Sequence, residues 1–210
     1  MIAALTGMGL SAAAGLNAYI PFLIVALLAR FTDVLTLPQS YAWIESWWAI
    51  GIGAVLLLTE VVVDKIPAID TLNDGIQTFI RPSMGGLIFA ATSAAEQLDN
   101  SAWMREHSWI GIVLGVVVSG LVHSGKVVAR PAINAGTLGA GAPVVSTLED
   151  GASVGLSLIA IFLPILVILA LIALFGLFFW LWRRVRRWRR RRGDPIDGPG
   201  SYGDSGASYA

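Results

Sequence analysis

Long apolar stretches separated by short polar breaks run along the chain, and their lengths predict helices that cross a membrane. Met1 to Ala29 carries no charged side chain and ends at Arg30. It lacks the basic start of a signal peptide and is expected to be a retained first transmembrane helix. Within GLNAYIPF, Pro21 follows Asn17 by four residues. It removes the N–H that the Asn17 carbonyl would accept, so a kink is expected, facing protein rather than lipid. A second run, Trp43 to Val63, opens with Trp43, Trp47 and Trp48, residues that favour the membrane interface. The third, Ile76 to Leu98, holds Arg81 and Pro82 and then GGLIFAATSAA; a short span, a half-helix and a re-entrant piece all fit it. A fourth helix is expected from Trp109 to Val128. The following RPAINAGTLGAGAPVV is read as too broken for one regular helix. The last is expected to begin after Glu149 and Asp150 and to reach Trp182. At 1.5 Å per residue that is roughly 48 Å, longer than the roughly 30 Å hydrocarbon core.

Composition narrows the class. Of 210 residues, 56% are hydrophobic and 13% charged, against about 25% charged in a soluble domain. That excludes an ordinary soluble enzyme, a disordered chain and a nucleic-acid module. The expected fold is an all-α polytopic transmembrane helical bundle of about five spans, with four also open, and with broken helices. Its divisions are an integral membrane helical domain over 1–182, a juxtamembrane polybasic segment over 183–192 and a disordered cytoplasmic tail over 193–210.

The net charge of zero hides an asymmetry, because eight of the 14 basic residues lie between Arg183 and Arg192. By the positive-inside rule the C-terminus is expected in the cytoplasm of a cell with the chain in its inner (plasma) membrane. Arg183, Arg184, Arg186 and Arg187 are expected to bind anionic lipid, at roughly 1 kcal/mol per basic residue near the surface. Their place directly after a membrane helix argues against nucleic acid as partner.

Candidate chemistry lies where charge meets apolar helix. Glu60 sits between LLLT and VVV, and Asp64 follows one turn later on the same face. His123 and Lys126 lie three residues apart near the end of the fourth helix. The two pairs form either a coupled, protonatable cluster between helices or four interfacial groups that water solvates. Asp70, Asp74 and Arg81 are expected to form a network that fixes a polar connector. Glu149 and Asp150 suit the positive end of the last helix. VVVDKIPAIDTL (Val61 to Leu72) can be laid on KVVARPAINAGTL (Lys126 to Leu138) as an internal repeat; repeat-built transporters place sites at broken helices. No cofactor is expected. Cysteine is absent and neither His107 nor His123 has partners at ligand spacing, so no metal is expected. AGTLGAGAP lacks the Gly-Lys-Ser/Thr of a phosphate loop and no nucleophile elbow occurs, so enzymatic activity is not expected.

GLSAAAGLNAYIPFL, EVVVDKIPAIDTLND with IRP following, and STLEDGASVGL together resemble a bacterial family of small integral membrane proteins known as a domain of unknown function. The resemblance covers about Met1 to Phe175. It implies several membrane helices and leaves the activity open. The leading expectation is a small secondary transporter or permease, with Asn17, Glu60, Asp64, His123 and Lys126 along its substrate or proton path. Five spans are few for a monomeric transporter, which suggests a homodimer; small residues in GGLIFAATSAA and GIVLGVVVSG allow close helix approach. The alternative is a non-transporting scaffold or accessory subunit that binds a partner protein and anionic lipid. A membrane enzyme acting on a lipid or isoprenoid ranks third, for want of a nucleophile or metal constellation.

Overall fold

The computed structural model describes residues 2–64, 66–93, 107–137 and 141–192, with the side chains at 67–72, 74, 108, 131–136, 181–182, 185–186 and 188–192 left aside. Every regular element among the described residues is helical: α1 (Ile2–Leu16), α2 (Tyr19–Phe31), a 3-10 turn (Gln39–Glu45), α3 (Trp47–Val63), α4 (Pro67–Ser93), α5 (Ser108–Thr137), α6 (Ala142–Phe162) and α7 (Leu166–Arg192). The expected all-α class holds. The tail over 193–210 lies outside the described residues.

The first apolar run is two helices rather than one kinked helix. The break falls at Asn17, whose side-chain Oδ1 accepts from the N–H groups of Tyr19 and Ile20 at 3.0 and 3.2 Å. It thereby satisfies donors that open the second helix. Pro21 then sits in the first turn of α2, where a missing N–H costs no intrahelical bond. The second run is also bent, by 55° between the 3-10 turn and α3. The Ser46 side chain accepts from Ala49 N–H at this junction.

Two expectations about the later elements are corrected. The polar connector is part of a helix, since α4 runs unbroken from Pro67 to Ser93 with Pro82 inside it. As expected, the RPAINAGTLGAGAPVV stretch is not one helix, but α5 runs past Val128 through its first part to Thr137, and α6 begins at Ala142. Pro131 removes one backbone bond there, while the preceding turn is clamped by the ion pairs of Lys126 and Arg130 described below. The final helix is two: α6 ends at Phe162 and α7 begins at Leu166, because Pro164 lacks an N–H and constrains the residue before it. Glu149 and Asp150 therefore lie inside α6 rather than before a helix. The two segments of the suspected repeat also differ. One is split between α3 and α4, whereas the other is continuous helix in α5 up to Thr137.

Among the described residues, two helices are long and apolar enough to cross a membrane, Trp109–Arg130 and Ala142–Phe162, or three if the bent 3-10/α3 pair is one span. The five expected spans are not reproduced, because breaks divide the first and last apolar runs into shorter helices: Ile2–Leu16, Tyr19–Phe31 and Leu166–Trp180.

Helix α1 is the centre of the bundle and packs on α4, α5 and α6. Its sequence, IAALTGMGLSAAAGL, is small almost throughout, which lets neighbours approach from several sides. A Cβ at Gly7 would lie 2.9 Å from the Phe89 ring of α4. One at Gly9 would lie 2.6 Å from Ala160 Cβ of α6, and one at Gly15 would lie 2.6 Å from the Ser119 carbonyl oxygen of α5. Large apolar side chains face outward on the surrounding helices, among them Ile52, Val55 and Leu58 on α3, Val113, Val117 and Leu121 on α5, and Leu169 and Ile172 on α7. Charged side chains are buried inside. That reversal of the soluble pattern is what a lipid solvent selects.

Candidate functional site: a buried charge network beside a helix break

Glu60 and Asp64 are one turn apart at the end of α3, so their carboxylates leave the helix on one side. Arg81 of α4 reaches both. Its Nη2 donates to Glu60 Oε1 at 2.6 Å and lies 3.6 Å from Asp64 Oδ2. Asp64 Oδ2 is also met by Lys126 Nζ at 3.0 Å and Arg130 Nη2 at 3.3 Å, both from α5. Those two cations in turn bind Glu149 Oε2 of α6, at 3.1 and 2.8 Å. Signs alternate along the chain of contacts, Glu60–Arg81–Asp64–Lys126/Arg130–Glu149. Among the described side chains, three carboxylates meet three cations from four helices.

All but Glu149 are buried, and Arg81 is 0% exposed. Ions taken out of water at this depth carry a desolvation penalty of several kcal/mol each, so they persist only when paired and hydrogen-bonded. Further bonds are supplied locally, although Glu60 Oε2 and Arg81 Nε find no partner. Asn73 Nδ2 donates to Asp64 Oδ1 at 2.8 Å. Arg81 Nη1 donates to the Gly15 carbonyl at 3.3 Å and to His123 Nδ1 at 3.4 Å. Since a guanidinium can only donate, His123 accepts at Nδ1, and its Nε2–H donates to Thr78 Oγ1 at 3.0 Å.

Beyond Gly15 the network reaches the α1/α2 break. Asn17 Nδ2 donates to Asp150 Oδ1 at 2.9 Å. Asp150 is eight residues into α6, about 12 Å along its axis, and thus within a candidate span. On the same helix, Ser153 Oγ donates to the Ala13 carbonyl at 3.0 Å, near the end of α1. The Tyr19 phenol, from the start of α2, lies in the field of Glu60 and Arg81 and against the Gln77 side chain.

The structure brings Glu60, Asp64, His123 and Lys126 into one cluster and places Asn17 next to it. Glu60, Asp64, His123 and Lys126 are buried within the bundle rather than exposed on its surface. Arg81 turns to Glu60 and Asp64, while the side chains of Asp70 and Asp74 lie outside the described residues. Arg130, Glu149, Asp150 and Gln77 were not singled out as site residues by the sequence. Their one available signal was one-turn spacing: Arg130 follows Lys126 by four, and Gln77 precedes Arg81 by four. Arg183, Arg184 and Arg187 are exposed on the helical extension of α7. Arg183 lies over the Phe179 ring at 5.5 Å and Arg184 over the Trp180 ring at 5.2 Å. The Arg186 side chain is outside the described residues. No group of three or more His, Cys, Asp or Glu among the described residues is arranged to hold a metal ion.

Apolar side chains outward, paired ions inward and a central helix that stops inside the bundle define a helical bundle of the membrane type, with a polar interior. Residues 4–184 match the family described as a domain of unknown function (DUF4126), and the chain belongs to that family. The whole charge network falls within the matched region. Neither a curated protein nor a solved structure matches the chain.

Proposed function

We propose that the protein is a small secondary transporter or permease of the cell inner membrane, with its path along the buried charge network and the α1/α2 break. The observation that carries this reading is the contiguous ladder of alternating charge, buried among four helices and adjoining a broken one. Ionisable side chains at membrane depth are expensive and mark ion or proton pathways by default, and helix breaks supply the backbone groups that transporters use at their sites. Asn17, Glu60, Asp64, His123 and Lys126 line the path, and Glu60 exchanges a proton. The C-terminus faces the cytoplasm, with Arg183, Arg184, Arg186 and Arg187 on anionic lipid, and a homodimer is the working unit.

The pairing of carboxylates with cations among the described residues favours a second reading, a non-transporting scaffold whose ion pairs lock the helices together. Proteoliposomes separate the two. With an imposed membrane potential and a pH dye inside, the wild-type chain is expected to carry protons and Glu60→Gln to abolish the flux. The amide keeps an oxygen for Arg81, so folding should survive, as checked by monodispersity in detergent. Equal, background-level signals from both proteins would favour the scaffold.

A further inference from the structure

The two oxygens of Glu60 are not equivalent. Oε1 is held by Arg81, whereas Oε2 is buried without a hydrogen-bond partner. Gln77 presents a second such atom: its side chain is buried and its Oε1 also has no partner. Gln77 lies one turn before Arg81 on α4, hence on the face of that helix that meets Glu60. Tyr19 is adjacent to both, feeling the Glu60 charge and contacting the Gln77 side chain. Two buried acceptor oxygens from neighbouring helices, both beside the Tyr19 phenol, thus lack a hydrogen-bond partner.

We propose that this pair is a proton-binding site: Glu60 takes up one proton on Oε2 and Gln77 Oε1 accepts the hydrogen bond of the resulting acid. The inference deepens the transporter reading and rests on it for the direction in which the proton moves. On loading, a hydronium ion transfers its proton, an O–H bond forms at Oε2, and water is released; unloading reverses the step. Glu60 becomes neutral, and Arg81 is not stranded, because Asp64, the Gly15 carbonyl and His123 Nδ1 remain within its reach. A metal cation is disfavoured at the same spot, since the guanidinium already binds the other oxygen of that carboxylate. The titratable and charged groups facing the site are Tyr19 from α2, Asp64 from α3, Arg81 from α4, and His123 and Lys126 from α5. Glu149 of α6 stands one ion pair further away. Gln77 is a positioning residue: it holds the proton's acceptor and does not itself titrate.

Infrared difference spectroscopy on the full chain in lipid vesicles, stepped in pH, tests the assignment. Acidification is expected to raise the carbonyl band of a protonated carboxylic acid. That band should be lost in Glu60→Gln and should move to higher frequency in Gln77→Leu, where the acid has no amide acceptor. If Glu60→Gln does not fold, the Gln77→Leu shift still decides. A band that persists in Glu60→Gln, one that stays put in Gln77→Leu, or one that follows sodium at constant pH would each overturn the proposal. A band with the expected behaviour but no proton flux would leave the site standing and sink the transporter reading. Flux without the band would do the reverse.

Discussion

Arg81 is the residue on which the site turns, because it is fully buried and bridges α3, α1 and α5 at once. Replacing it with methionine would leave Glu60 without its ion-pair partner. Breaking a buried pair from one side costs about 3–5 kcal/mol, and unfolding of Arg81→Met in detergent is expected to fall by that amount. Glu60→Gln/Arg81→Met should recover most of the loss, because Asp64 keeps Lys126 and Arg130. If the double variant were as unstable as the single one, the pairing of Glu60 with Arg81 would not be what the guanidinium contributes. At this scale the sequence was informative where apolar flanks made a charge conspicuous, as at Glu60. It was uninformative at Arg81 and Glu149, whose neighbours are polar enough to pass for a loop or a helix start.

Between elements, the closest approach joins α4 to α5 through small residues. A Cβ at Gly115 would lie 2.8 Å from Phe89 Cβ and would also strike the Gly85 carbonyl, whereas one at Gly120 meets only Pro82 Cγ, at 3.7 Å. The small-residue runs GGLIFAATSAA and GIVLGVVVSG therefore pack on each other within one chain, which is a different use from the contact between copies that the sequence suggested. Gly115→Leu should destabilise the fold by about 1–3 kcal/mol or more through overpacking, while Gly120→Leu should be nearly silent. Thermal unfolding of the two variants side by side checks this, and equal effects would contradict the observed packing. Helix periodicity alone gives both glycines the same prospects, since it does not say which face meets α4. Nor does it say that a proline ends a helix at Pro164 yet is carried through one at Pro131.

For the whole molecule, an apolar exterior closes on a charged interior and a basic helical extension leaves at one end. The guanidinium groups of Arg183 and Arg184 rest on the aromatic rings of the turn before them, a geometry that suits the headgroup region. Exchanging Arg183, Arg184 and Arg187 for glutamine is expected to remove most of the thermal stabilisation that anionic lipid gives over zwitterionic lipid. An undiminished difference would refute the lipid contact. Because the chain has no cysteine, a single cysteine at position 187 reports orientation. It should react with a membrane-impermeant reagent only after the cells are permeabilised.

The amino-acid sequence by itself determined that this chain is helical, that its apolar composition suits a lipid solvent, and that Asn17 and Glu60 are anomalies requiring protein partners. Those conclusions follow from local quantities: run length, side-chain polarity, and the N–H that a proline lacks. Tertiary structure alone decided which charges neutralise which, since Asp64 at the end of α3 meets Lys126 and Arg130 on α5. It also decided which oxygens of Glu60 and Gln77 were left without donors. Pairing between helices depends on approach distances set by small residues far away in the chain, and no pattern confined to one helix contains them.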